Sequence, residues 1–274
     1  MDKPLEIDLH AILRGRLPQN VSRFVPGFLI TALEKLIRQK ELNDMLRVAF
    51  PLRGSEFSRK ILEHLDITVD VEGMENLDSR RRLMFASNHP LGGLDGIALI
   101  AVLGEHYGDR NVRFLVNDML MNVEPLSDVF LPVNKYGSQG RGAAMAINEA
   151  MASDKHILQF PAGLVSRLHP GGVIADLDWQ KSFVAKAIEY KRDIVPVRFE
   201  GTNSMMFYRM AKWRKKLGIK VNIEQTLLPG EVCKSRGKHF HIVFGKPIGW
   251  EKLKAREESP VKLAAALRKI VYEQ

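Results

Sequence analysis

One cysteine, Cys233, is all the thiol that this chain of 274 residues carries. A single thiol excludes an internal disulfide framework and fits a reducing compartment. It stands in a polar segment read as a loop, distant in sequence from the reactive side chains described below, and is taken as structural or incidental. Long apolar runs are just as scarce. The best candidate, Phe24 to Leu33, is interrupted by Pro26 and stops at Glu34 and Lys35, far short of the ~20 apolar residues that cross a bilayer. The opening residues, Met1-Asp2-Lys3-Pro4-Leu5-Glu6, lead into no cleavable apolar stretch, so no secretory signal is expected. Glycine-rich phosphate loops of the two nucleotide-binding kinds are missing, and no nucleotide cofactor is expected. A metal reading has only His89, Asp95 and His169 to draw on, at spacings unlike the usual ligand sets, so no metal is expected either. Internal repeats and low-complexity segments are absent.

Acidic residues are in deficit. Asp and Glu total 32 against 41 Lys and Arg, a formal net charge of +9. That surplus suits a partner rich in negative charge, such as nucleic acid, an anionic membrane surface or an acidic carrier protein. Apolar residues make up 45% of the chain, enough for a sizeable core and against global disorder. The length fits one large α/β domain, or a domain with a helical extension.

Residues 1–65 lack strand alternation and read as an N-terminal helical segment, with 66–274 as the α/β domain. Phe28, Leu29, Ala32, Leu33, Leu36 and Ile37 follow helical spacing among Arg23, Lys35, Arg38 and Lys40. Such a basic amphipathic helix can lie on an anionic bilayer, or pack on its own domain with a solvated basic face. Ser55-Glu56-Phe57-Ser58 is expected to cap a second helix running to His64. Strands are then expected at 67–73, 82–86, 112–116, 129–133, 156–161, 193–199 and 240–244. Helices are expected at 97–103, 141–153, 179–190 and 260–272. Strands alternating with helices predict a mixed, largely parallel central sheet covered on both faces.

The reactive stretch is Ser87-Asn88-His89-Pro90-Leu91-Gly92-Gly93-Leu94-Asp95-Gly96, between a predicted buried strand and a predicted helix. Open α/β sheets hold ligands at such strand carboxyl ends. His89 can act as a general base near neutral pH, and Asp95 can hold its imidazole in one tautomer. Two glycines between them let the bend close tightly enough for the pair to meet. No Ser or Cys stands beside His89 as an enzyme nucleophile, which argues against a covalent intermediate on the protein.

Four segments together resemble the glycerophospholipid acyltransferase family. Asn88-His89…Asp95 is similar to its first block, and Phe130-Leu131-Pro132-Val133-Asn134-Lys135 to its second. Phe160-Pro161-Ala162-Gly163-Leu164-Val165-Ser166-Arg167 is similar to the third, and Ile194-Val195-Pro196-Val197 to the fourth. Val243 to Ile248 resembles the family's last strand. The His-Pro-Leu-Gly-Gly-Leu-Asp bend, Phe-Pro-Ala-Gly and Phe199 to Ser204 are closest to a bacterial branch once called hemolysins, which includes O-acyltransferases that complete ornithine- and glycine-type aminolipids. Two positions depart from the family pattern. Five residues intervene between His89 and Asp95, one more than usual. Ala162 and Leu164 replace a Glu and a Thr that belong to the glycerol-phosphate end of the site.

The resemblance implies transfer of a fatty acyl chain from an acyl thioester, on acyl-carrier protein or coenzyme A, to a lysolipid hydroxyl. His89 would take the hydroxyl proton and Asp95 would orient it, with no further cofactor. Asn88, Gly163 and Ser166 are implied substrate-binding positions, and backbone N–H groups around Gly163 are candidates for the oxyanion. Arg167 and Lys135 are candidates for the anionic head group or the carrier's phosphopantetheine. The acceptor implied is a lyso-aminolipid, with 1-acylglycerol-3-phosphate as the alternative. The expected location is the cytoplasmic side of the cell membrane, peripherally bound, and no nucleic-acid partner is expected. Tyr208 to Leu217 mixes cations with aromatic and apolar residues and suits lipid head groups, an acidic carrier or simple solvation. From the residues alone, a thioester or lipid hydrolase, a metal site and a non-catalytic binding protein stay open.

Overall fold

Leu83-Met84-Phe85-Ala86-Ser87 has no exposed residue along its length. A strand without a wet face must be covered on both sides, as in the interior of a parallel sheet. The computed structural model describes residues 3–16, 26–78, 81–133 and 141–274, and places this strand at the middle of seven. In chain order, α1 (Leu9–Arg16), α2 (Gly27–Ile37), α3 (Gln39–Ala49) and α4 (Gly54–His64) precede β1 (Thr68–Glu72). There follow β2 (Leu83–Ser87), α5 (Leu94–Tyr107), β3 (Val112–Asn117), β4 (Phe130–Val133), α6 (Arg141–Ala152) and β5 (His156–Gln159). A two-residue ribbon, β6 (Arg167–Leu168) and β7 (Ile174–Ala175), leads to α7 (Ser182–Glu189), β8 (Asp193–Glu200), α8 (Met205–Lys216) and α9 (Leu228–Lys234). β9 (His239–Phe244), α10 (Trp250–Ala255) and α11 (Pro260–Glu273) complete the chain.

The sheet order is β1-β9-β8-β2-β5-β3-β4. Every pairing is parallel except β8 with β9. This is the mixed, largely parallel α/β sheet that the sequence predicts. Alternate residues of each strand feed opposite cores. Leu83 and Phe85 pack with α3, α4 and α5, while Met84 and Ala86 pack with α6, α7 and α11. The first core runs without a break across residue 65, joining Leu42, Met45 and Phe57 to Phe85 and Phe114.

Two local features differ from the sequence reading. Ser55 does not cap α4; the Asp109 carboxylate does, accepting the Ser55 N–H at 3.0 and 3.2 Å. Gly54 has φ +54°, and a Cβ there or at Gly104 would collide with that carboxylate. Cys233 lies in helix α9 and is buried, not in a polar loop. A further feature, which the sequence leaves open, is the end of α2 at Arg38, whose left-handed backbone (φ 57°) precedes α3.

A buried arginine ties the amino-terminal end of β8 to its neighbours. Arg192 donates to the carbonyls of Leu83, Ala150, Met151, Ser153 and Lys155. Burial lowers its pKa to about 10, so it stays protonated at neutral pH. Arg192→Met keeps the bulk but strands these carbonyls, at ~1–3 kcal/mol for each buried group left unsatisfied. Urea unfolding of this variant should show a loss of at least about 3 kcal/mol; an unchanged midpoint contradicts this account of Arg192.

Candidate active site

β2 ends at Ser87 and α5 begins at Leu94, so the reactive bend sits at the carboxyl edge of the central strand. Gly92 takes φ +80°, and a Cβ there would run into Val165 and Leu228. Only glycine meets both demands. The turn brings His89 Nδ1 to 2.9 Å from Asp95 Oδ2. Five intervening residues therefore suffice for contact, because Asp95 lies in the first turn of α5 and faces back into the bend.

Asp95 is fully buried and accepts more than the imidazole. Leu91 N–H (2.9 Å) and Gly92 N–H (3.2 Å) donate to the same Oδ2, and Gly96 N–H (2.9 Å) donates to Oδ1. Burial alone pushes a carboxyl up. Here the His89 charge, the His89 hydrogen bond and the backbone N–H donors outweigh it and hold Asp95 below the usual carboxylate range. An anionic Asp95 assigns the proton to Nδ1 and leaves Nε2 as the ring's acceptor. The ring stacks on Phe160 at the end of β5, with centroids 3.9 Å apart.

A second buried carboxylate, Asp176, holds the backbone of the same bend. Its Oδ1 accepts His89 N–H (3.1 Å) and Ser166 Oγ–H (2.6 Å), and its Oδ2 accepts the Trp179 indole N–H (2.9 Å). Tyr272 Oη accepts the Asp176 N–H, and Arg268 donates to its carbonyl. Burial and the Asp176 charge push the Tyr272 phenol up to about 12, so it is neutral. From the other side, Asn203 Nδ2 donates to the carbonyls of Pro90 and Leu91, both at 3.2 Å. Sequence reasoning missed both residues. Asn203 lies within the stretch Phe199 to Ser204, but Asp176 follows the short ribbon β6–β7 and carries no local signature.

The other predicted site residues hold the frame. Asn88 clasps β8 through both ends of its amide, accepting Phe199 N–H (2.7 Å) and donating to Phe199 O (2.9 Å). Ser166 gives its hydroxyl proton to Asp176, and its N–H to His89 O. Arg167, expected to meet an anionic substrate group, is instead engaged: Nη2 donates to Glu224 Oε1 at 2.7 Å, and the guanidinium lies over the Phe207 ring. Burial lowers its pKa and the Glu224 charge opposes that shift. Gly163 lines the cavity, but its N–H, offered above for an oxyanion, donates to Phe160 O in a tight turn. Lys135 and Asn134 lie outside the described residues. His169 sits with Nε2 3.1 Å from Ala175 O in the β6–β7 ribbon. Among the described residues, no three His, Cys, Asp or Glu side chains gather as a metal would need.

His89 opens onto a cavity of about 1170 Å³, larger than the roughly 300–1,000 Å³ of ordinary small-molecule pockets. Its lining includes apolar side chains of α3, α4 and α5, namely Leu42, Met45, Phe57, Ile61, Ile97 and Ile100, and polar ones of α6, β5 and α7, namely Asn148, Gln159 and Lys186. A general base thus faces a cavity whose wall is mostly apolar and carries a few polar groups.

A protein-family model described as acyltransferase matches residues 12–272. The lyso-glycine lipid O-acyltransferase of Phocaeicola vulgatus is 43% identical over 97% of this chain and 94% of its own length. That of Bacteroides thetaiotaomicron is 42% identical, over 97% of each. The crystal structure of the 1-acyl-sn-glycerophosphate acyltransferase of Thermotoga maritima aligns with a TM-score of 0.45 and 16% identity, over 90% of this chain and 95% of that one.

Asp95→Asn offers one amide oxygen where two carboxylate oxygens accept four donors. Near pH 7 it should unfold about 1–3 kcal/mol more easily than the parent. Because the native Asp95 pKa is lowered, its contribution is present above the unfolded value of about 3.9 and is lost as pH falls through the native one. The gap between the two proteins in urea should therefore close toward acid; a gap that stays constant with pH contradicts this electrostatic account.

Proposed function

The chain belongs to the acyltransferase family, and from that premise we propose that it esterifies the free hydroxyl of a lyso-aminolipid, of the lyso-glycine lipid kind, with a fatty acyl group delivered as a thioester. The observation that carries this reading is the His89–Asp95 pair, 2.9 Å apart, facing a large and mostly apolar cavity. Both long-matching relatives are named for the lyso-glycine lipid.

In this reading the acceptor hydroxyl hydrogen-bonds to His89 Nε2 and attacks the thioester carbonyl. The O–C bond forms as the proton passes to Nε2, and the imidazolium so made is stabilised by Asp95 through Nδ1–H. The tetrahedral intermediate collapses with cleavage of the C–S bond, and the thiolate takes the proton from His89. The protein acts as a base throughout and forms no acyl-enzyme. Ser166, the hydroxyl bonded into the same frame, supports this, since its proton is committed to Asp176. Asp176 and Asn203 contribute by fixing the backbone on which the imidazole rides.

The cavity wall also bears on the acceptor. Ala162 and Leu164 line it where family members that take glycerol phosphate carry Glu and Thr, so this stretch offers neither carboxylate nor hydroxyl. That favours an aminolipid over 1-acylglycerol-3-phosphate. The donor is acyl-carrier protein or coenzyme A carrying the acyl thioester, and the chemistry needs no further cofactor. Among the described residues no helix is long and apolar enough to cross a membrane. In this reading the enzyme works peripherally, on the inner face of the cell membrane.

His89→Ala should fold normally by circular dichroism and lose about 10²–10⁴ in kcat, the usual worth of a general base. A folded variant with a near-normal rate ends the proposal. Asp176→Asn leaves the imidazole in place and loosens its backbone, so kcat should fall by about tenfold or more with little change in acceptor KM. The acceptor is tested by mass spectrometry of a lysolipid panel with labelled acyl thioester. Product from lyso-glycine lipid in preference to 1-acylglycerol-3-phosphate is expected. Release of free fatty acid independent of any acceptor would make the protein a hydrolase instead.

A further inference from the structure

Between Gly201 and Ile223 there are six Lys or Arg and no Asp or Glu. This stretch contains α8 and the turn that follows it. The inner side of α8 is anchored by Phe207, Tyr208 and Ala211, all buried. Its outer end is unusually apolar for a surface. Trp213 is 71% exposed, Leu217 66% and Val221 71%, with Ile223 exposed beyond them. Lys212, Lys215, Lys216 and Lys220 stand exposed among these side chains.

This tip is built rather than frayed. Arg214 points inward from the same helix, with Nε 2.8 Å from the fully buried Glu224. Its Nη1 donates to Ile219 O at 2.8 Å, and the Ile219 N–H donates to Arg214 O. One arginine therefore holds the turn in shape while the apolar side chains face water. Isolated exposed apolar residues need no explanation, but a run of them held in place beside lysines does. Trp with flanking Lys suits the boundary between head groups and acyl chains, where the ring is half wetted and the ammonium groups meet lipid phosphates.

The position of the tip gives this chemistry a purpose. The chain leaves Ile223, and within a few residues Gln225, Leu228, Pro229 and Val232 line the cavity into which His89 faces. α2 packs on this same cover, where the Gly230 Cα lies against the Leu36 carbonyl with no room for a Cβ.

We propose that the end of α8 and the turn to Ile223 form the membrane-docking surface: Trp213, Leu217 and Val221 insert among the lipids, and the four lysines bind anionic head groups. Docked in this way, the rim of the cavity meets the bilayer, and the acceptor lysolipid's own chain passes from the bilayer to the apolar wall of the cavity without crossing bulk water. The entry route rests on the acyl-transfer reading above, whereas the docking does not.

The test uses the full chain and substrate-free vesicles of phosphatidylcholine with phosphatidylglycerol. The wild type should cosediment with them, bind pure phosphatidylcholine more weakly, and release as salt rises. Tryptophan emission should shift to the blue on binding, and Trp213→Phe should remove most of that shift. A triple variant, Lys212→Glu with Lys215→Glu and Lys216→Glu, should lose at least roughly a hundredfold in partition, about fivefold for each lysine before reversal is counted. Trp213→Ser with Leu217→Ser should lose at least tenfold. Both sets should keep wild-type turnover on detergent-dispersed substrate, which shows that the fold and His89 are untouched. Vesicle binding undiminished in both sets overturns the proposal, as does a wild type that ignores anionic vesicles and binds an acidic carrier protein or RNA instead. Vesicle binding with the predicted losses sustains the docking surface even where the lysolipid panel yields no ester.

Discussion

A carboxylate sealed from water must find every partner inside the protein, and the way Asp95 does so shapes everything around it. Three backbone N–H groups and one imidazole converge on its two oxygens. The bend can supply those N–H groups only by folding back on itself, which demands the left-handed backbone of Gly92 and leaves no space beside it for a side chain. The same convergence keeps the carboxyl ionised despite burial. Charge, turn and imidazole orientation are thus one constraint. Removing any of them leaves the other two without a cause.

Around that centre the polar residues are arranged in layers with distinct tasks. Asp176 and Asn203 grip the backbone of the bend from opposite sides, while Asn88 clasps β2 to β8 just before it. None of these groups is a free ligand for substrate. The arginine and glutamate further out, Arg167 and Glu224, spend their charges on each other and on Arg214. What lines the cavity that the imidazole faces is therefore mostly hydrocarbon, with a few polar side chains among it. Such a surface suits a lipid tail without committing a buried, unpaired charge.

Much of this was legible in the sequence because it depends on local pattern. β2 stands out as a short apolar run, and the bend by its glycines between His89 and Asp95. The family blocks located the sheet's carboxyl edge. Other parts depend on pairings across long separations. Asp176 reaches a histidine 87 positions earlier, and Glu224 an arginine 57 positions earlier; neither has a signature in its own neighbourhood. Asp109 capping α4 failed the local rule for the same reason, since the acceptor came from another element. The block around Arg167 suggests a site ligand, but a charge of that kind is assigned only when its neighbours in space are known. Helix α9 was read as loop because it is short and carries Pro and Gly near its start, and tertiary packing rather than propensity makes it helical.

The N-terminal helices look like an addition placed before the sheet, yet Leu42, Met45, Phe57 and Ile61 line the same cavity that His89 faces. Ile7 joins them, held to α3 by a reciprocal pair of hydrogen bonds with Asn43. These residues form part of the pocket's apolar wall. Trimming the chain before β1 would not shed an appendage. It would take the floor out of the chamber, flood the first core with solvent, and leave a correctly formed His–Asp pair with nothing to hold a tail against it.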